Sequence, residues 1–203
     1  MGELVPMEIS AKMVKELRDK TGVGMMDCKK ALTEADGDHE KAVKVLREKG
    51  IAKAAKREGR VTAEGVIAAY VHPGDKLGVM AEINCETDFV ARTEKFNTFA
   101  RNVAMHIAAI APVCISREDI DESLLEKERE VYRRQALNEG KPENVVERIV
   151  DGKLEKYITE VVLLEQPFVR DNDKTVGDLL KEMMSTLGEN INIKRFARFR
   201  LGE

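Results

Sequence analysis

Leu77-Gly78-Val79-Met80-Ala81-Glu82-Ile83-Asn84-Cys85-Glu86-Thr87-Asp88-Phe89-Val90 is the stretch whose pattern decides the fold. Leu77, Val79, Ala81, Ile83 and Cys85 alternate with Gly78, Met80, Glu82 and Asn84, the period of a strand with one covered face. After the stretch, Phe96, Phe99, Ala100, Val103, Ala104, Ile107, Ala108 and Ala111 recur at three and four, the apolar stripe of a helix. Between the two, Phe89 and Val90 stand where turn chemistry favours small polar residues. Two readings of Phe89 stand open. As a hydrophobic staple it packs inward on the first turn of the helix, yet Asp88 as N-cap makes Phe89 the first helical residue, and Thr93 as N-cap puts Arg92 in the staple position. Turned outward, Phe89 is an aromatic anchor for a partner.

Working outward, Val66 to Val71 is apolar on both faces, and Pro73-Gly74-Asp75 turns it into the alternating strand, so the two form a hairpin. A helix from about Lys95 to Ala111 covers one face, and Pro112 ends it. Ser116 to Leu164 is helical and highly charged, with interruptions at Asn138-Glu139-Gly140-Lys141-Pro142 and Asp151-Gly152. Ser116 and Asp119 read as a capping pair, and Leu124, Leu125, Val131, Tyr132 and Leu137 as inward residues. Gln166-Pro167-Phe168-Val169 leads into a turn, and Thr175-Val176 opens a helix with Leu179, Leu180, Met183 and Leu187. Ile191, Ile193, Phe196 and Phe199 mark a closing strand, whose Lys194, Arg195, Arg198 and Arg200 make a basic edge that discourages edge pairing.

Toward the N-terminus, residues 10–50 read as three short amphipathic helices. Ser10 caps the first, with Met13, Val14 and Leu17 as its stripe, and Thr21-Gly22-Val23-Gly24 stops it. The second carries Met25, Cys28, Ala31 and Leu32 on one side and ends at Asp36-Gly37. Asp38 caps the third, lined by Ala42, Val45 and Leu46, with Gly50 at C′. Met25 and Met26 are adjacent, so one of them faces outward. From Ile51 to Arg60 the chain carries Lys53, Lys56, Arg57 and Arg60 on a partly helical, solvated linker. The expected organisation is α+β: a helical domain at 1–50, a basic linker at 51–62 and an α+β core at 63–203.

With 203 residues, 43% apolar and 35% charged, the chain can bury one good core with room for a small second domain. No run approaches the ~18 apolar residues of a membrane span, and Met1-Gly2-Glu3-Leu4-Val5-Pro6 lacks the regions of a signal peptide, which points to the cytoplasm. Cys28, Cys85 and Cys114 are far apart, which argues against a disulfide framework or a zinc site. A net charge of −3 and a pI near 5.8 argue against direct nucleic-acid binding through the overall field. His39, His72 and His106 are dispersed, and no metal spacing or nucleophile elbow is present, so no catalytic residue, metal or cofactor is assigned. The best enzymatic case is the acidic row Glu82, Glu86 and Asp88, against a reading as a solvated strand face.

Thr21-Gly22-Val23-Gly24-Met25-Met26-Asp27-Cys28-Lys29-Lys30-Ala31-Leu32, with Thr87-Asp88-Phe89-Val90, closely resembles the bacterial elongation factor Ts family. The likeness extends to Ala104-Met105-His106-Ile107-Ala108-Ala109 and to Gln166-Pro167-Phe168-Val169 ahead of Lys174-Thr175-Val176-Gly177. The resemblance implies an exchange factor that binds elongation factor Tu, expels GDP and allows GTP to load. It also implies a ubiquitin-associated-like first domain. Thr87, Asp88, Phe89 and Val90 would insert into the GTPase domain, the ring wedging between helices and disturbing the Mg²⁺ and phosphate sites. Arg18, Met25 and Met26 would be contacts from the small domain and His106 a further one, in doubt because it could serve the other subunit's partner. Longer members carry two core halves and an inserted coiled-coil hairpin; this chain passes from its Thr-Asp-Phe-Val loop straight into the Ala-Met-His-Ile helix and resembles the short form. A homodimer built on the exposed sheet or its edge is expected to supply the missing half. The competing reading is a peptide-binding adaptor working through the small helical domain alone.

Overall fold

The computed structural model describes residues 9–203, apart from the side chains of Ile51, Lys53, Ala54 and Ala55. The Met1–Pro6 start and the Lys53 side chain, both read above, lie outside the described residues. The chain divides into two compact units, one of residues up to Gly65 with Cys85–Ala91 and Leu180–Asn192, the other of Val66–Asn84, Arg92–Leu179 and Ile193–Glu203.

In the first unit, α1 (Ala11–Thr21), α2 (Met25–Glu34) and α3 (His39–Ala55) form a three-helix bundle. Val14, Leu17, Cys28, Ala31, Leu32, Ala42 and Leu46 make its buried core. The caps follow the sequence: the Ser10 hydroxyl accepts from Met13 N, and Asp38 Oδ1 accepts from Glu40 N and Lys41 N. Gly50 departs from expectation. Instead of ending α3 it sits inside the helix, where an added Cβ would come within 2.6 Å of Ser185 Oγ; its role is close approach rather than a C′ turn. The basic linker is also less free than its composition suggests, since Arg57 donates to the Met184 carbonyl at 3.3 Å and Arg60 to Glu86 at 3.5 Å.

In the second unit, β1 (Glu64–Val71) and β2 (Leu77–Cys85) form the expected hairpin, its turn closed by Asp75 N donating to His72 O. With β5 (Ile191–Arg200) they make a sheet of order β1-β2-β5. Leu201 N, just past β5, donates to Lys76 O, just ahead of β2, so these neighbours run antiparallel. Val79, Ala81 and Ile83 are buried, as is the Phe96–Ala108 stripe of α5 (Glu94–Ile110), which Thr93 caps. Arg198 of β5 donates to the Ala108 carbonyl at the end of that helix.

Beyond α5, Ser116 and Asp119 do form a capping box, but on a short 3-10 turn; α6 (Glu122–Asn138) is capped by Asp121. α6 and α7 (Glu143–Val161) form a two-helix hairpin around Ala136, Val146, Val150 and Leu154. Two expectations fail here. Asp151-Gly152 does not interrupt α7, and Val131 and Leu137 are exposed, because the hairpin buries a narrow stripe centred on the small Ala136. Arg133–Glu147 and Arg129–Asp151 pairs flank it. A short hairpin of β3 (Pro167–Phe168) and β4 (Asp171–Thr175) precedes α8 (Val176–Leu187), which opens with reciprocal bonds between Thr175 and Asp178.

Two helical glycines give opposite expectations for the same substitution. At Gly152 nothing lies within 4 Å of an added Cβ, so Gly152→Ala is expected to raise Tm by about 2–4 °C through the ~1 kcal/mol propensity gain. At Gly177 the Cβ would meet the Leu164 carbonyl oxygen at 2.8 Å, and Gly177→Ala is expected to lower Tm despite the same gain. Thermal unfolding of the two variants checks both signs.

Candidate functional site

The Glu86–Ala91 turn is held by a carboxylate more than one hundred residues away. Glu189 Oε2 accepts from Glu86 N and Thr87 N, both at 3.1 Å, and its Oε1 accepts the Thr87 hydroxyl proton at 2.6 Å. The arrangement is reciprocal, since Glu86 Oε1 accepts from Asn190 N at 2.6 Å, while Asn190 Nδ2 donates to Arg60 O at 2.8 Å. Cys85 Sγ donates to Thr87 O at 3.2 Å, and burial, with the nearby Glu189 charge, pushes its thiol up to about 11. Glu189 reaches the turn because Gly188, at φ 78°, ends α8 in the left-handed region and redirects the chain.

Thr87, rather than Asp88, caps the short helix α4 (Asp88–Ala91): its hydroxyl accepts from Val90 N at 3.4 Å and its carbonyl from Ala91 N at 3.2 Å. Asp88 is then in the first turn, where its charge suits the helix N-terminus. Phe89 is 80% exposed, so the inward staple does not form. Val90 is half-buried. In the bundle, both adjacent methionines face outward, Met25 43% and Met26 68% exposed, and Arg18 is exposed as well. The sequence reading expected only one of the two methionines outside; at the first two positions of α2 both lie clear of the core that begins at Cys28.

A model of the family described as "Elongation factor TS" matches residues 7–203. The chain is 60% identical to an elongation factor Ts of Carboxydothermus hydrogenoformans over 96% of its own length and 90% of the relative's. It is 61% identical to one from Desulfosudis oleivorans, over 96% and 98%, and 58% identical to one from Acetivibrio thermocellus, over 96% and 91%. The chain belongs to the elongation factor Ts family. It is therefore a translation elongation factor of the exchange-factor type, with an α+β fold.

Two motifs that pointed to elongation factor Ts separately, around His106 and around Gln166-Pro167-Phe168-Val169, meet in the second unit. His106 is fully buried. Its Nε2 lies 2.9 Å from Gln166 Oε1, and its Nδ1 accepts from Val169 N at 3.2 Å. Gln166 Nε2 donates to the Glu160 carbonyl, so Oε1 is the acceptor and His106 carries its proton on Nε2. His106 thus pins the β3–β4 segment from beneath, and Phe168 packs its ring 5.9 Å away. Glu189 and Asn190, and the buried bond of Gln166 to His106, are not legible in the sequence, because each acts on a partner distant in sequence. Of the acidic row, Glu82 pairs with Arg195 at 2.6 Å, which lowers its pKa, and Glu86 is engaged as above. Among the described residues no group of three or more His, Cys, Asp or Glu is arranged to hold a metal ion, and no helix is long and apolar enough to cross a membrane.

Burial lowers the His106 pKa, with the Gln166 bond opposing it. The unfolded chain then takes up a proton near pH 6.5 that the folded chain refuses until lower pH, so stability falls as pH drops below 6.5. The free energy of unfolding measured from pH 7 to 5.5 is expected to decline with a slope of up to about 1.4 kcal/mol per pH unit from this group, with Tm falling in parallel. His106→Gln is expected to start lower and to lose that part of the slope.

Proposed function

We propose that the chain is the guanine-nucleotide exchange factor of elongation factor Tu, and that Thr87, Asp88, Phe89 and Val90 enter the GTPase and disturb its Mg²⁺ and phosphate site. The observation that supports this reading is an aromatic ring, 80% exposed, on a turn whose backbone the fold already holds. An exposed phenylalanine gains nothing for the fold, and it is the type of side chain that anchors interfaces. Exchange requires the factor and the nucleotide each to weaken the other's binding, a coupling that is reciprocal. A ring that fits only when the phosphate site opens supplies it. Arg18, Met25 and Met26 make a second contact from the bundle. The factor contributes no bond-making chemistry of its own.

The direct test is release of labelled GDP from elongation factor Tu with and without the chain. Acceleration is expected; binding of the bundle without any effect on release would favour the adaptor reading instead. Phe89→Ala separates wedge from core. Emptying a buried aromatic site costs about 3–5 kcal/mol of stability. For Phe89, Tm is expected to be nearly unchanged while release slows roughly thirty-fold or more, as for an anchor worth ~2–4 kcal/mol. A large fall in Tm with unchanged release per folded molecule would end the wedge reading.

The division into a ubiquitin-associated-like domain at 1–50, a linker at 51–62 and a core at 63–203 is part of this proposal. The bundle's own core supports it, although α3 runs to Ala55. We also propose a homodimer through the open face of the sheet, where Ile67, Val71, Met80 and Phe199, the last 69% exposed, present apolar side chains. Light scattering at micromolar concentration is expected to give twice the 22.8 kDa chain mass, and Phe199→Asp with Met80→Glu to halve it. A monomeric wild-type chain with full exchange activity would reject the dimer.

A further inference from the structure

The Phe89 turn combines local bonds, from Cys85 Sγ to Thr87 O and from Val90 N and Ala91 N to Thr87, with bonds from far along the chain. α4 has four residues, far below the length at which a helix holds itself, and Phe89 is exposed, so its ring packs on too little to fix the backbone. The long-range bonds come from the Glu189 carboxylate, which accepts two consecutive backbone N–H groups and one hydroxyl proton. Hydrogen bonds to an ionised acceptor are shorter and stronger than neutral ones. We propose that Glu189 is the positioning residue of the exchange loop: it fixes the turn that presents Phe89 and acts on the GTPase only through it. This rests on the function proposed above.

The coupling runs through Thr87. Its hydroxyl has one proton and two lone pairs. Because the proton goes to Glu189 Oε1, a lone pair is left for Val90 N, the cap bond of the turn that carries Phe89. The backbone on either side of Glu189 is itself anchored, Gly188 N to Met184 O at 3.0 Å and Asn190 N to Glu86 Oε1 at 2.6 Å. The pair of carboxylates thereby ties the residues that follow β2 to the residues that follow α8, each accepting from the other's backbone. Glutamine is the informative replacement. It keeps the size of the side chain but removes the charge: its one carbonyl oxygen can still accept from Glu86 N and Thr87 N, while the NH₂ group meets the Thr87 hydroxyl and leaves that proton without its acceptor.

The test is GDP release from elongation factor Tu at saturating and sub-saturating concentrations of the full chain. Glu189→Gln and Glu189→Ala are expected to lower the saturating release rate at least ten-fold and to shift half-saturation by less than about three-fold, because Arg18, Met25 and Met26 still bind. In a Phe89→Ala background Glu189→Gln is expected to add nothing. A merely structural role would instead lower release in proportion to the unfolded fraction, and the two substitutions would multiply. Either of those results, or a wild-type saturating rate in both Glu189 variants, would overturn the proposal. Should the wild-type chain fail to accelerate release, the functional reading falls. Amide hydrogen exchange of the free chain then decides the positioning role: Glu189→Ala should speed exchange at Glu86, Thr87 and Val90 at least ten-fold and leave α5 unchanged, and unaltered protection at those amides would refute it.

Discussion

At the end of β2 the Glu189 carboxylate accepts from two consecutive backbone N–H groups, and on our proposal the turn that presents Phe89 depends on them. Glu189 replaces the water that Glu86 N and Thr87 N would otherwise bind, and it orients the Thr87 hydroxyl as a cap. With those donors satisfied, the chain can leave β2 in a tight turn that keeps Phe89 away from the core. The ring is 80% exposed on a turn whose polar groups are bonded beneath it.

The second unit solves a similar problem with neutral groups. His106 and Gln166 sit where a helix, a 3-10 turn and the β3–β4 segment converge, and their bonds form a chain from the Glu160 carbonyl through Gln166 and His106 to Val169 N. Each polar atom finds a partner, so burial carries little penalty as long as the imidazole stays neutral. The cost appears only on acidification, when the buried ring would have to accept a charge. In both units a side chain remote in sequence fixes a short irregular segment that periodicity alone leaves undetermined.

That division explains what could be read from the residues. β2 and α5 are legible because their apolar periods are long and uninterrupted, β1 and β5 because their apolar residues are bounded by clear turn signals or the chain's basic edge, and the caps Ser10, Asp38 and Thr93 because their chemistry is local. The direction of Phe89 is not, since both readings are compatible with a period change at that point, and the group that decides between them lies over a hundred residues away. Gly50 and Gly152 misled for a related reason. Each was read as a stop by propensity, while Gly50 is there for the approach of Ser185 and Gly152 is simply tolerated in α7. Val131 and Leu137 were misplaced because a two-helix hairpin buries a narrower stripe than a globular core does. The assignment of Thr87, Asp88, Val90 and Arg18 as partner contacts rests on family resemblance, whereas Phe89 and the Met25-Met26 pair also stand out by pattern, and all three of these side chains are exposed.

The central claim is that Phe89 enters the GTPase domain of elongation factor Tu. A photoreactive phenylalanine placed at position 89, irradiated in the complex with the GDP-bound partner, reads that contact directly. The account predicts cross-links confined to the GTPase domain beside its nucleotide site. Cross-links only to another domain, or none while a probe at Met26 cross-links efficiently, would contradict it.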